Sequence, residues 1–396
     1  MLSAWATSDL KISPQNNGQG QFIHRWTYTS ADQDLDATWI DIYEVIKRAN
    51  VILSQIDELQ VDPDQEELKN DIKGEALAIR AMAHLDLYRI YGQRFDESSL
   101  AVPYVTDPGI FNTPSRATGP ELLSNIEADL LEARDLLIDD GDLFRASVPM
   151  VNGMLTRMAV WGEDWDKAIT YGEATLNGAP ELADDATYVS MFDENELAGE
   201  NIFKVAIVAG NKANIGNNFW VPSLEAAYFL AAEDLTSLYD TTDVRMEVNF
   251  RIENGDQVVV NKYPGPESNP GICDAKALRT SEVMLNLAEA HYFAGNEDQA
   301  RDYLDAVRAA RIDNYTSLGE SGDNLIAAIM QEKRKELAFE GFRFYDIKRW
   351  REDIIRMDCT SVNCELLSDN FRMIYPIPQS EVFANDNITQ NEGYGS

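Results

Sequence analysis

Apolar and polar positions recur with a helical period over most of this chain. From Leu35, LDATWIDIYEVIKRANVILSQIDEL sets Trp39, Tyr43, Ile46, Asn50 and Leu53 at steps of four, three, four and three, the stripe of an amphipathic helix. Asp62-Pro63-Asp64 interrupts it and makes Asp64 the expected N-cap of a second helix, so that two long helices form a hairpin. That second helix runs to RIYG, where Gly92 is expected to end it because glycine takes a positive φ without penalty. Ser115 to Pro120 punctuates the chain again. GPELLSNIEADLLEARDLLIDD then opens a third helix with Pro120 in its first turn, and GMLTRMAVWGEDWDKAITYGEATLNG predicts a further pair.

Between about Gly178 and Ala275 the stripe fades. ENIFKVAIVAG and DQVVVNKY read as short strands, and YPGPESNPG as a loop of turn formers. Helices return with LRTSEVMLNLAEAHYFAGNEDQARDYLDAVRAAR, where Leu287, Ala288, His291, Ala300, Leu304 and Val307 match the offsets of a tetratricopeptide repeat, with Gly295 and Asn296 at its inner turn. Small Ala288 and Ala300 let two helices approach while Leu304 fills the groove between them. The stretch around Ala168 is a degenerate copy. The expected organisation is one mainly α domain over residues 1–396: helical repeats at 35–177, an irregular insertion at 178–275, further repeats at 276–350 and a closing segment at 351–396.

Composition changes the picture in two ways. Apolar residues make up 44% and aromatics 10%, enough buried surface to offset chain entropy and fold. Against this, 68 Asp and Glu face 33 Lys and Arg, a formal net charge of −35. Phosphate binding depends on Lys and Arg replacing counterions, so nucleic acid is excluded as a partner over most of that surface, and a neutral ligand is favoured over an acidic polysaccharide. Three cysteines rule out a four-cysteine zinc site and a disulfide framework. Cys359 and Cys364 lie in a loop able to close a bridge without requiring one. No apolar run approaches the roughly 18 residues of a membrane span, and MLSAWATSDL lacks the parts of an export signal.

Catalytic signatures are missing: none of the zinc-hydrolase, nucleophile-elbow, phosphate-loop or dinucleotide motifs occurs. Carboxylate pairs carry no information when 68 acids supply every spacing. The DDGD run at 139–142 reads as a solvated turn, so neither a metal nor a cofactor is expected. Among three histidines, His84 and His291 sit in helical stripes, whereas His24 lies in a loop. Aromatics interleaved with amides are more informative, because sugars present flat C–H faces ringed by hydroxyls. The N-terminal stretch offers Trp5, Asn16, Asn17, His24 and Trp26 as ligand-binding candidates, and NIGNNFWVPS offers Asn218, Phe219 and Trp220, with Tyr263 as a third element. The competing role for each ring is core packing.

Five runs taken together, WIDIYEVIKRANVIL, GEALAIRAMAHLDLYRIYG, LRTSEVMLNLAEAHYFAG, EKRKELAFEGFRFYDIKRW and YPIPQSEVFANDNITQNEGY, resemble the SusD/RagB family of outer-membrane nutrient-binding lipoproteins of Bacteroidetes, in the family's order. The resemblance implies an α-α superhelix with four tetratricopeptide-like helix pairs and a loop-rich face carrying a few short strands. It further implies a protein that captures an oligosaccharide or polysaccharide, or in the RagB branch a peptide, without cleaving it. Such a protein caps a SusC-like TonB-dependent transporter at the cell surface. Members are held there by a lipid anchor on a cysteine, and no such cysteine precedes Met1 in this chain. The motif around Arg334, Glu336, Glu340, Gly341, Arg343, Asp346 and Trp350 is expected to be scaffold, its charges tying two helix ends together by bidentate pairs over buried aromatics. A glycoside hydrolase is the reading from another functional class.

Overall fold

The computed structural model describes residues 2–109, 111–138, 140–193, 195–208, 210, 215–266 and 270–395. Asp139 of the DDGD turn and residues 267–269 of the YPGPESNPG loop lie outside them. The fold is mainly α: fifteen α-helices and a few short strands among the described residues. The chain divides into two compact units, one made of residues 28–178 and 369–396, the other of 1–27 and 179–368.

The first unit is helical. Gln33–Ile56 begins at Asp32, whose side chain accepts from the backbone N–H groups of Asp34 and Leu35. Trp39, Ile46 and Asn50 of the expected stripe are buried. Glu66–Tyr91 returns against this helix, and Gly119–Leu136, Val148–Trp161 and Trp165–Leu176 continue the packing, each touching its predecessor. Buried polar groups are paired across helices: Asn50 receives Arg80 at 3.0 Å, and Arg80 forks onto Asp129 at 2.6 and 2.7 Å. One asparagine, one arginine and one aspartate thereby register three helices. Thr118 and Glu121 form a reciprocal capping box ahead of Pro120.

Two expectations of helix chemistry fail here. Asp64 is no cap, because a single 3-10 turn, Pro63–Gln65, precedes the helix and Asp62 stands at its start. Gly92 has φ −75°, not a positive value. It is a glycine because a Cβ at that position would lie 2.2 Å from the Tyr88 ring, so the requirement is close approach rather than handedness.

In the second unit, Thr280–Phe293 and Glu297–Ala309 form the predicted repeat around Gly295, whose φ is +82°. Leu285, Ala288, Ala300, Leu304 and Val307 close its core with Leu325 and Ile329 of Asp323–Glu336. Both expected strands exist: Asn201–Val205 pairs antiparallel with Ala275–Arg279, and Gln257–Val260 with Phe250–Glu253. Leu10–Ile12 pairs with Phe229–Ala231, tying the N-terminal stretch to the insertion. Ile354–Ile355 pairs with Glu365–Leu366, and a Cys359–Cys364 disulfide closes the loop between them.

The charged motif is architecture, with different partners from those expected. Glu336 is fully buried and receives Arg279 at 2.8 Å and both Arg245 and Arg311 at 3.1 Å. Glu340 receives Arg279 and Lys262, each at 2.6 Å. Burial alone would push the Glu336 carboxyl up, but three guanidiniums hold it well below the usual carboxylate range. A parallel cluster sets Glu289 against Lys333 and Arg349 at 2.6 Å and the Trp350 indole at 2.8 Å. Arg343 and Asp346 do not join Glu336 or Glu340. Asp346 binds Arg349 at 3.2 Å, and among the described residues the carboxylate paired with Arg343 is Glu352, at 3.9 Å.

Candidate functional site

The N-terminal aromatic cluster is packing material, which corrects the expectation of an exposed platform there. Trp5 is buried, stacks on Phe229 with centroids 5.7 Å apart, and is covered by the backbone at Gly20, where a Cβ would come within 2.7 Å of the indole. Trp26 is only 2% exposed; its indole N–H donates to the Ala6 carbonyl at 2.8 Å, and Arg356 lies 3.8 Å over its ring. His24 is also buried, Nδ1 2.9 Å from the Trp5 carbonyl. Burial and the nearby Arg356 bring its pKa down to about 3, so it is neutral at physiological pH. Asn16 folds its own turn, donating to the Gln19 and Tyr228 carbonyls and accepting from Gly18 and Gln21. Asn17 is exposed. Phe22, which the sequence pattern did not single out from its neighbours, is the exposed ring of this stretch, at 63%.

The second cluster divides. Phe219 and Tyr263 are buried, parallel to each other at 6.0 Å, and Phe219 meets Phe339 edge-on. Tyr263 borders a cavity that Phe219 does not line. Trp220, one residue on, is half-buried, and packs against Ala227, Leu230 and Val259. Asn218 is half-buried beside it. Backbone geometry explains this division: Gly216 opens a 3-10 turn through Asn218 and allows the chain to press against Gly271, where a Cβ would sit 2.6 Å from its Cα. Phe219 thus points inward and Trp220 toward the rim of a cavity.

That cavity holds about 150 Å³ and is lined by Trp220, Arg251, Tyr263, Gly216, Pro270 and Gly271. Arg251 lies 5.0 Å over the Trp220 ring. It is oriented by Glu253 at 2.8 Å and by Asn261 at 2.8 Å, so its charge is compensated within the site. These three residues were missed by sequence reasoning. A usable signal existed: Asn254-Gly255, both at positive φ, marks the hairpin that carries Arg251 and Glu253 on one strand and leads to Asn261 on the other. A larger cavity of about 620 Å³ in the same unit is walled by Asp185, Asp193, Glu247 and Asp313 and has no aromatic ring. It lacks the flat apolar surface a sugar face requires.

Residues 259–394 match the sequence profile of the SusD family, and residues 6–159 match a profile described as starch-binding and associating with the outer membrane. SusD-like protein P2 of Formosa agariphila is 24% identical over 96% of this chain and 84% of its own length. Among solved structures, a putative sugar binding protein from Bacteroides vulgatus superposes with a TM-score of 0.88 at 26% identity, covering 100% of this chain and 93% of that one. A SusD superfamily protein from Bacteroides thetaiotaomicron gives the same score at 24% identity over 98% of this chain and 93% of its own, which speaks to fold alone. Among the described residues no helix is long and apolar enough to cross a membrane.

Proposed function

This chain belongs to the SusD/RagB family, and on that premise we propose that it captures a glycan at the cell surface, without cleaving it, for a SusC-like TonB-dependent transporter. The observation that carries the reading is the half-buried Trp220 ring at the mouth of the Arg251–Tyr263 cavity. An indole beside a guanidinium, an amide and a carboxylate supplies both halves of sugar recognition: a flat apolar face and directed donors and acceptors. A neutral glycan is favoured because Glu253 already compensates Arg251, and because a chain of net charge −35 repels polyanions at long range. Asn218, half-buried two residues before Trp220, is kept in the proposed site; Trp5, His24, Trp26 and Phe219 are buried and are not part of it. A relative with a sugar-binding description at 26% identity agrees with this choice over the peptide-binding branch.

Affinity electrophoresis through gels containing laminarin, xylan, mannan, starch or alginate tests it. Retardation by at least one neutral polysaccharide is expected, with Trp220→Ala lowering affinity at least tenfold, since individual sugar contacts are weak and the ring is the central one. Retention by alginate alone contradicts the charge argument. Binding of oligopeptides without any response to sugars transfers the protein to the peptide reading, and release of reducing ends to the hydrolase reading.

A further inference from the structure

Arg343 is a half-buried guanidinium that the scaffold engages only loosely. Its side chain is only 16% exposed, and its nearest carboxylate, on Glu352, is at 3.9 Å, an ion-pair distance beyond hydrogen-bond length. Its Nε–H is buried with no acceptor. The other charges nearby are committed elsewhere. Arg334 holds Asp9 at 2.8 Å and Ser8 at 3.2 Å, and Asp346 holds Arg349. Trp350 offers its ring face, 5.8 Å from the Arg343 guanidinium, while its N–H is used by Glu289. Desolvation and the neighbouring Arg334 press the Arg343 pKa down. A buried guanidinium donor left unused is costly, whereas Arg245, Arg279, Arg308, Arg311 and Arg349 of this unit are each held by carboxylates.

Arg343 and Arg334 both line a cavity of about 280 Å³ whose other walls are Leu238, Ile326, Ala327, Met330, Gln331 and Glu352. We propose that this cavity is a second ligand site, distinct from the Trp220 cavity, which takes a small organic carboxylate: the carboxylate on the Arg343 fork and a short apolar body along the Leu238–Met330 wall. The fork matches a carboxylate in plane and spacing. Asp9 already compensates Arg334, and Arg343 is only loosely paired with Glu352 at 3.9 Å, so a singly charged head that displaces Glu352 matches the site better than a doubly charged phosphate. Glu352, 44% exposed, turns out to solvent when the ligand enters.

Isothermal calorimetry on the full chain with sodium hexanoate at low ionic strength tests this. Saturable binding at one site is expected, weakened at least tenfold by Ala327→Trp, which fills the cavity from an exposed position and leaves both arginines in place. Arg343→Lys, which keeps the charge and loses the fork, is expected to weaken it similarly. Hexanol, with the same body and no head, is expected not to bind. Absence of saturable hexanoate binding, or binding that Ala327→Trp leaves unchanged, overturns the site; inorganic phosphate binding as tightly as hexanoate overturns the assignment to carboxylates. None of these outcomes depends on whether Trp220 retains polysaccharide.

Discussion

Single residues here are decided by what lies over them. Trp5 and Trp220 are the same residue type in similarly polar neighbourhoods, yet Gly20 and Phe229 enclose the first, while Gly216 turns the second outward. His84 shows the same dependence. Its Nδ1 lies 2.9 Å from the Arg80 carbonyl and its Nε2 accepts the Val105 N–H at 3.0 Å, so the ring must be neutral with the proton on Nδ1. Burial lowers its pKa to about 3, as it does for His24. Both folded-state values lie below the unfolded value of 6.5, so the unfolded chain binds more protons between them. The stability these rings contribute is complete above pH 6.5 and is lost as pH falls from 6.5 toward 3. Urea midpoints between pH 7.5 and 5 are expected to fall, by on the order of 1 kcal/mol per pH unit for each histidine below pH 6.5. The carboxylates whose pKa is lowered in the folded state contribute only at lower pH, so a flat profile across this window would refute the assignment.

Helices and strands here are joined by buried charge as much as by apolar surface. Glu336 ends the Asp323–Glu336 helix and takes guanidiniums from Arg245, from Arg279 at the end of the Ala275–Arg279 strand, and from Arg311 beyond the Glu297–Ala309 helix. Replacing an entire buried cluster by apolar groups can be harmless, but removing one member strands the others. Glu336→Gln is therefore expected to destabilise by about 3–5 kcal/mol, or to abolish soluble expression. The exposed helix pair of Glu44 with Lys47 and Arg48 provides the control: Glu44→Gln is expected to leave the denaturation midpoint unchanged. If both substitutions behave alike in urea titrations, the cluster is not what holds these elements.

At the scale of the molecule the dominant property is charge. With 68 acidic against 33 basic side chains, and many of the basic ones consumed in buried clusters, the surface repels itself at low ionic strength. Thermal midpoints are expected to rise by several degrees between about 20 and 300 mM sodium chloride as repulsion is screened over the Debye length, whereas the buried pairs respond little. A midpoint that falls with salt would mean that exposed ion pairs, rather than self-repulsion, control stability. Each compact unit is assembled from two separate stretches of chain, which ties the final 28 residues, 369–396, to the first helical repeats.

The sequence by itself determined the helices, the repeat around Gly295 and the scaffold role of the Glu336 motif, because each is written in local periodicity or in a run whose order along the chain is distinctive. Strand locations in the insertion were legible for the same reason, through apolar runs bounded by turn formers. Only the tertiary structure decided which aromatics are walls and which are surface, which arginine answers which glutamate, and that Arg251, Asn261 and Trp220 meet. Most of those facts depend on residues far apart in the chain, such as Trp5 with Phe229 or Arg245 with Glu336, and no local pattern encodes the direction in which a half-buried ring faces when its cover comes from elsewhere in the chain.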